Sequence, residues 1–221
     1  MRLYLASTSP ARLATLRAAG VEPVVIPPDV DEDAAVADAM TSAGPISPTG
    51  VVQLLARTKA EAVASASAGG ATIDGFILDG FILGGDSAFE LDGVVYGKPH
   101  TAEAARERWQ LQRGRTGLLH SGHWLIDHRG GSAQGAAGAV STASVTFASD
   151  LTDAELDAYI ATGEPLHVAG AFTIDSLGAA FITAVEGDPH AVVGLSLSTV
   201  RGLLRGFGVE WHELWVSSIL L

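Results

Sequence analysis

The sequence predicts an α/β protein, on two observations. Short apolar runs of strand length recur along the chain (Leu3-Tyr4-Leu5-Ala6, Val24-Val25-Ile26, Phe81-Ile82-Leu83). Between them lie stretches with apolar residues at helical spacing, opened by Ser or Thr and closed by Gly. At 221 residues, 48% hydrophobic and 17% charged, the chain is read as a single domain over 1–221 with ample core and no compositional mark of disorder. A formal net charge of −12 argues against nucleic acid polymers and anionic membranes as partners. An anionic substrate would have to be held by a local cluster of the 13 Lys and Arg residues. Without cysteine there is neither a disulfide nor a thiolate zinc site. No apolar run approaches a membrane span. The first residues are too short for a signal-peptide core, so a cytoplasmic protein is expected.

The first strand, Leu3–Ala6, runs through Ser7-Thr8-Ser9 into a helix opened by Ser9 as N-cap and Pro10 at the first helical position. Leu13 and Leu16 form its apolar face and Gly20 ends it. Strand, turn and helix N-terminus together make an anion-binding arrangement, because free N–H groups and the positive helix end face one ligand. Arg12, one turn in, adds a guanidinium suited to phosphate. The alternative is a capped surface helix with a solvated arginine.

Val24-Val25-Ile26 reads as the second strand, stopped by Pro27-Pro28. The acidic run Asp29, Asp31, Glu32, Asp33 reads as a solvated loop from which one carboxylate can reach a hard cation. Residues 34–50, rich in Ala, Ser, Gly and Pro, read as a mobile connection. A helix is expected over 50–66, with Val52, Leu55, Ala62 and Val63 inward. Lys59 falls on that stripe, where it either snorkels outward, the commoner outcome, or enters a polar pocket.

The central stretch is Gly84 to Pro99. Phe81-Ile82-Leu83 reads as a short buried strand, so Asp86 is expected just past its end, where open α/β sheets bind ligands. Asp92-Gly93 predicts a hairpin turn. The return through Gly97-Lys98-Pro99 would carry an ammonium back toward Asp86. A direct repeat, Asp-Gly-Phe-Ile-Leu at 74–78 and 79–83, precedes this stretch; the second copy is taken as the strand because it adjoins the glycines.

Thr101 caps a helix over Ala102–Gln112, and Gly114-Arg115-Thr116 ends it. Strands are expected over 118–126 and 139–147, as an antiparallel pair around a turn region from His128 to Gly138. His120 and His123, three apart on a strand, face opposite sides, which argues against a shared metal. Thr152-Asp153-Ala154-Glu155 is a capping box. Residues 164–172 read as a turn into an extended segment, 179–184 as a strand and 198–204 as a final helix. The apolar tail from Val209 is an edge strand or a homodimer contact.

Taken together, these blocks resemble the Maf family of nucleotide pyrophosphatases. Leu5-Ala6-Ser7-Thr8-Ser9-Pro10-Ala11-Arg12 is similar to the family's opening, Asp31-Glu32 to its acidic pair, and Ala56-Arg57-Thr58-Lys59-Ala60 to its lysine helix. Gly85-Asp86-Ser87, Leu91-Asp92-Gly93 and Gly97-Lys98-Pro99 resemble its central block. Gly114-Arg115-Thr116, Gly163-Glu164-Pro165, Ala169-Gly170-Ala171 and Val193-Gly194-Leu195 follow in the family's order, and an actinobacterial-type member is suggested.

The resemblance implies a Maf/ITPase-like α/β fold: a central twisted mixed sheet flanked by helices, with two lobes around a cleft. It implies hydrolysis of nucleoside triphosphates to monophosphate and pyrophosphate with Mg²⁺ or Mn²⁺. Carried onto this sequence, Ser7 and Arg12 bind phosphate. Glu32 helps hold the metal, and Lys59 and Lys98 neutralise the triphosphate. Asp86 acts as base or metal ligand, and Arg115 shapes the substrate pocket. There are departures. Ala11 replaces one arginine of a pair, His167-Val168 replaces an acidic-lysine pair, and Asp175 stands where glutamine is common, which bears on base preference. Two competing readings are a nucleotide-binding regulator of septum formation with little turnover and a nucleotidyltransferase using the same cleft.

Overall fold

The computed structural model describes residues 1–66 and 78–216. Residues 74–77 of the first repeat copy and 217–221 of the tail lie outside the described residues. The strands are β1 (Leu3–Ala6), β2 (Val24–Val25), β3 (Phe81–Leu91), β4 (Val94–Tyr96), β5 (Thr116–Asp127), β6 (Gly135–Phe147) and β7 (Ile182–Glu186). The α-helices are α1 (Pro10–Ala18), α2 (Glu32–Ala43), α3 (Pro48–Ala66), α4 (Ala102–Gln112), α5 (Asp153–Ala161), α6 (Pro189–Val193) and α7 (Leu197–Gly206). Among the described residues the strands form one mixed sheet in the order β2-β1-β3-β5-β6-β7, with β4 paired to β3. β1 runs parallel to β2 and β3, while β3–β4 and β6–β7 are antiparallel.

Two compact units divide the chain, one of Met1–Asp86, Gly122–Val140 and Leu197–Leu221, the other of Ser87–Ser121 and Ser141–Ser196. In the first, Tyr4, Ala6, Ala60, Val63, Ile82 and Ile126 are among the residues of a buried core. In the second, Trp109 is wholly buried among Phe147, Tyr159 and Phe181 in edge-to-face contact, and its indole N–H donates to the Ala171 carbonyl at 2.8 Å.

Most elements fall where the sequence places them, and their caps explain why. Ser9 Oγ accepts the Arg12 N–H at the start of α1, and Thr101 does the same for α4. The Thr152–Glu155 capping box is formed in both directions. The strands around the second turn are longer than expected, leaving 128–134 as the connection rather than 128–138.

Five expectations need correction. Residues 34–50 are not a structureless connection, because α2 occupies Glu32–Ala43. Asp31 caps it, Glu32 and Asp33 complement the dipole in its first turn, and alanines supply propensity. The helix expected from residue 50 starts at Pro48, where Ser47 Oγ accepts the Gly50 N–H at 3.1 Å. Residues 164–171 form two 3-10 turns, Glu164–His167 and Ala169–Ala171, not an extended segment. The strand expected over 179–184 lies at Ile182–Glu186, after a 3-10 turn at Leu177–Phe181. In the tail, a 3-10 turn at Trp211–Leu214 precedes a single antiparallel bridge between Trp215 and Val21, so the tail forms no edge strand within the described residues.

The strand carrying Asp86 is also not what the sequence suggests. It does not end at Leu83: β3 continues through Gly84, Gly85 and Asp86 to Leu91. The glycines mark close approach, not termination. A Cβ on Gly84 would lie 2.1 Å from the Ala56 carbonyl oxygen of α3, and one on Gly122 of β5 would lie 2.2 Å from the Val52 carbonyl oxygen. The helix therefore lies flush on two strands at positions one turn apart, which only glycine permits.

Candidate active site

The register of β1 and β3 builds the site. Ala6 pairs with Gly84, and β1 ends there while β3 runs on. Asp86 thus lies two residues past that pairing, beyond the end of β1 rather than of its own strand. The Ser7–Ser9 turn leaves β1 at the same level. A Cβ on Gly85 would meet Arg12 Nε at 3.2 Å, so the Arg12 side chain lies over that glycine. The Ser7 hydroxyl accepts from the Ser9 N–H at 3.1 Å and from Arg12 Nη1 at 3.2 Å, fixing both turn and guanidinium.

From the other side, α3 supplies Lys59. Its neighbours on the buried stripe are Val52, Leu55, Ala56, Ala60 and Val63. Lys59 is 7% exposed and does not snorkel. Its Nζ lies 2.7 Å from Asp86 Oδ1 and 2.9 Å from Glu32 Oε1, the latter from the first turn of α2. Two carboxylates, one ammonium and one guanidinium therefore share one edge of the first unit. The formal charges balance, which makes the burial of Lys59 and Arg12 tolerable.

Electrostatics tune the members differently. Burial pushes the Asp86 carboxyl above its usual range; Lys59 and Arg12 oppose the rise without cancelling it, and Glu32 adds to it. Burial likewise lowers the Arg12 guanidinium, against the pull of Asp86 and Glu32, and an arginine remains a cation through such a shift. A carboxyl raised in this way, beside fixed cations, is better suited to taking a proton than an ordinary aspartate.

Ser7, Arg12, Glu32, Lys59 and Asp86 are thus brought together within the first unit. Lys98, Arg115 and Asp175 belong to the second. Lys98 is exposed after β4. Arg115 pairs with Asp92 of the hairpin turn, and its Nη1 donates to the Leu111 carbonyl at 3.2 Å. Asp175 is exposed on the 173–178 loop.

Two features of the second unit went unread in the sequence. The buried His120 ring lies 2.9 Å from both Glu90 Oε2 and Thr142 Oγ1. Its partners sit 30 residues before and 22 after it, on different strands, and no local pattern announces them. Glu164 accepts hydrogen bonds from the Tyr159, Thr173 and Ser176 hydroxyls and from the Leu177 and Gly178 N–H groups. The clustering of Thr173, Ser176 and Gly178 around one upstream carboxylate was the available signal.

Fold and site define an α/β protein with a phosphate-suited strand–turn–helix facing a buried carboxylate–lysine pair. A family model described as Maf-like protein matches residues 2–207, and the chain belongs to that family. It is 67% identical over 215 residues to a protein of Leifsonia xyli subsp. xyli, with 97% of each chain covered. It is 50% identical to one of Rhodococcus opacus (97% of this chain, 96% of the relative) and 46% identical to one of Corynebacterium diphtheriae (97% and 98%). Each relative is named nucleoside triphosphate pyrophosphatase. Among solved structures, the Staphylococcus aureus Ham1 protein matches with a TM-score of 0.39 and 17% identity over 67% of this chain and 73% of that one, a likeness too slight to bear on function.

Proposed function

We propose that this protein is a nucleoside triphosphate pyrophosphatase, cleaving the bond between the α- and β-phosphates to give a monophosphate and pyrophosphate. The observation that carries the reading is the Asp86–Lys59–Glu32 cluster, centred on the buried Lys59, beside Ser7 and Arg12. Relatives alike over nearly their full length bear that name.

The chemistry follows from the residues. Asp86 takes the proton of a water aimed at the α-phosphorus, which its raised carboxyl favours. Arg12 and the N–H groups of the Ser7–Ser9 turn receive phosphate oxygens. Lys59 neutralises charge that grows on the departing pyrophosphate. By the family resemblance, Lys98, Arg115 and Asp175 of the second unit are candidates for substrate contact.

A divalent ion suits the donor set. Glu32 and Asp86 offer hard carboxylate oxygens, while no group of three or more His, Cys, Asp or Glu able to hold a metal occurs among the described residues. Two carboxylates with the rest of the sphere left to water and phosphate is the Mg²⁺ pattern, not that of a closed protein cage. Mg²⁺ or Mn²⁺ held there would stabilise phosphoryl charge when bound. No helix among the described residues is long and apolar enough to cross a membrane. A cytoplasmic setting, with the free nucleotide pool as substrate, accords with the acidic, cysteine-free composition.

The test is pyrophosphate release from a panel of standard and modified nucleoside triphosphates with Mg²⁺ and Mn²⁺. Release with matching monophosphate supports hydrolysis. Binding without release from folded protein points to an occupancy regulator, and a requirement for an acceptor points to a transferase.

A further inference from the structure

The charged groups at the edge of the first unit cancel: Lys59 and Arg12 stand against Asp86 and Glu32. A balanced site exerts no net pull on a divalent cation. Its acidic oxygens are also engaged. Lys59 Nζ donates to Asp86 Oδ1 at 2.7 Å and pairs with Glu32 Oε1 at 2.9 Å. These are the two carboxylates that offer hard oxygens to an ion. An ion held by both would compete with the ammonium for the same lone pairs and be repelled by its charge.

The two pairs are not alike. The Asp86 and Lys59 side chains are 13% and 9% exposed, whereas that of Glu32 is 50% exposed. Parting Asp86 from Lys59 would strand a buried charge. Water screens the Glu32 pair and takes over from it when it parts. Glu32 also stands in the first turn of α2, a helix with no buried residue, so little packing resists its movement.

We infer that Lys59 is an internal counter-ion, holding the cation position of the empty site and giving up Glu32 to a divalent ion, so that seating the ion and freeing an ammonium for phosphate are one exchange. This rests on the divalent-ion part of the pyrophosphatase reading. Charge explains the order. With Lys59 and Arg12 in place, a divalent ion leaves two positive charges in excess, and the anionic triphosphate removes that excess. The ammonium therefore keeps ion affinity low until substrate arrives, and it is the group best placed to receive a phosphate oxygen once Glu32 has turned to the ion.

The experiment measures Mn²⁺ affinity by calorimetry without nucleotide, at pH 8 to keep proton competition low. It compares wild type, Lys59→Met, Lys59→Arg and Lys59→Met combined with Glu32→Gln. Lys59→Met should bind Mn²⁺ at least tenfold more tightly than wild type. Lys59→Arg, still cationic, should stay within about threefold of wild type. Adding Glu32→Gln to Lys59→Met should abolish most of the gain, because the gain comes from the released carboxylate pair. Equal or weaker Mn²⁺ binding by folded Lys59→Met overturns the inference.

Wild type supplies a second test, which also decides if Lys59→Met does not fold. The chain has two lysines, Lys59 and Lys98. Selective ¹⁵N-lysine labelling therefore gives two ammonium signals in NMR spectra, and Lys98→Arg assigns them. The Lys59 signal, protected from water by its carboxylates, should shift or broaden as Mg²⁺ is added. A Lys59 signal unmoved at the end of the Mg²⁺ titration overturns the inference even where Lys59→Met binds Mn²⁺ more tightly, since the ammonium has then not yielded its place. None of these readouts needs turnover. A protein that shows the exchange but releases no pyrophosphate fails the pyrophosphatase reading alone.

Discussion

The ammonium of Lys59 stands between two carboxylates, 2.7 Å from Asp86 Oδ1 and 2.9 Å from Glu32 Oε1, on a side chain almost wholly buried. That relationship converts a helix-face lysine, ordinarily a solvated residue, into the electrostatic centre of the site. It also ties three elements together: α2 through Glu32, α3 through Lys59 and β3 through Asp86.

Lys59→Met should therefore cost stability as well as turnover. Removing one partner of a buried pair leaves its carboxylate uncompensated, about 3 kcal/mol. Without the ammonium, folded Asp86 holds its proton still more tightly. A carboxyl whose folded pKa is raised gives stability that is full below the unfolded value and lost as pH rises through the folded one. The deficit relative to wild type should thus grow from acid to pH 8. Urea denaturation at several pH values measures it, and a deficit constant with pH would refute the coupling. Lys59→Arg should not restore activity, because a planar fork does not fit a site shaped for a point charge.

Asp86→Asn should reduce kcat/KM by about 10²–10⁴-fold, the range lost with a positioned base, while the thermal midpoint stays within a few degrees of wild type. In wild type, the acid limb of the kcat/KM profile should lie above the ordinary aspartate value of about 3.9, because burial raises this carboxyl. Near wild-type rates in folded Asp86→Asn would remove it from the mechanism. Calorimetric Mn²⁺ titration of Glu32→Gln should show weakened binding if the two carboxylates share the ion.

Gly84→Ala tests the packing that builds the site. Its Cβ would fall 2.1 Å from the Ala56 carbonyl, backbone that cannot swing aside. Moving α3 off β3 should cost about 3 kcal/mol and draw Lys59 from Asp86, so turnover should fall too. Gly93→Ala is the control. It meets nothing within 4 Å but has φ of +79°, so it should cost about 1 kcal/mol and leave turnover intact. Chemical denaturation and pyrophosphate release of both variants make the comparison.

Glu164 predicts an acid-labile step. Burial alone would raise its carboxyl, but the bonds from Thr173, Ser176, the Gly178 N–H and Tyr159 outweigh that and hold it down at about 2. A carboxylate depressed in the fold gives stability that is present above its unfolded value and lost as pH falls through the folded one. Wild type should therefore lose on the order of 2 kcal/mol between about pH 4.5 and pH 2, after discounting the shift for solvent screening. Glu164→Gln, less stable at neutral pH, should lack this part of the acid dependence in denaturation curves.

Local chemistry made much of the fold legible beforehand. Ser9-Pro10, Thr101 and the Thr152–Glu155 box each announce a helix start because a cap is made by residues three apart. Asp92-Gly93 announces its turn for the same reason. Within the 34–50 stretch that reads as a connection, residues 34–43 are helical, because small residues of the kind that mark linkers mask the helical pattern that Asp31 and the alanines signal. The 3-10 turns after Gly163 are each closed by one short local bond, Leu166 N–H to the Gly163 carbonyl and Ala171 N–H to the Val168 carbonyl, which leaves no period to read, and the donors that gather on Glu164 come from up to 14 residues downstream.

By itself the sequence determined the α/β class, the strand–turn–helix at Ser7–Arg12 and the identities of Asp86, Lys59 and Glu32 as chemically suitable groups. All of these rest on neighbours within a few positions or on residue type. Only the tertiary structure decided that Lys59 turns inward, that Asp86 lies mid-strand and beyond the end of β1, and that Glu164 secures the 173–178 loop. Lys59 and Asp86 are 27 residues apart, and Glu32 lies another 27 before Lys59. Their meeting depends on how closely a helix can lie on two glycine-bearing strands. That distance is set by backbone packing across the sheet, which has no period in the sequence to betray it.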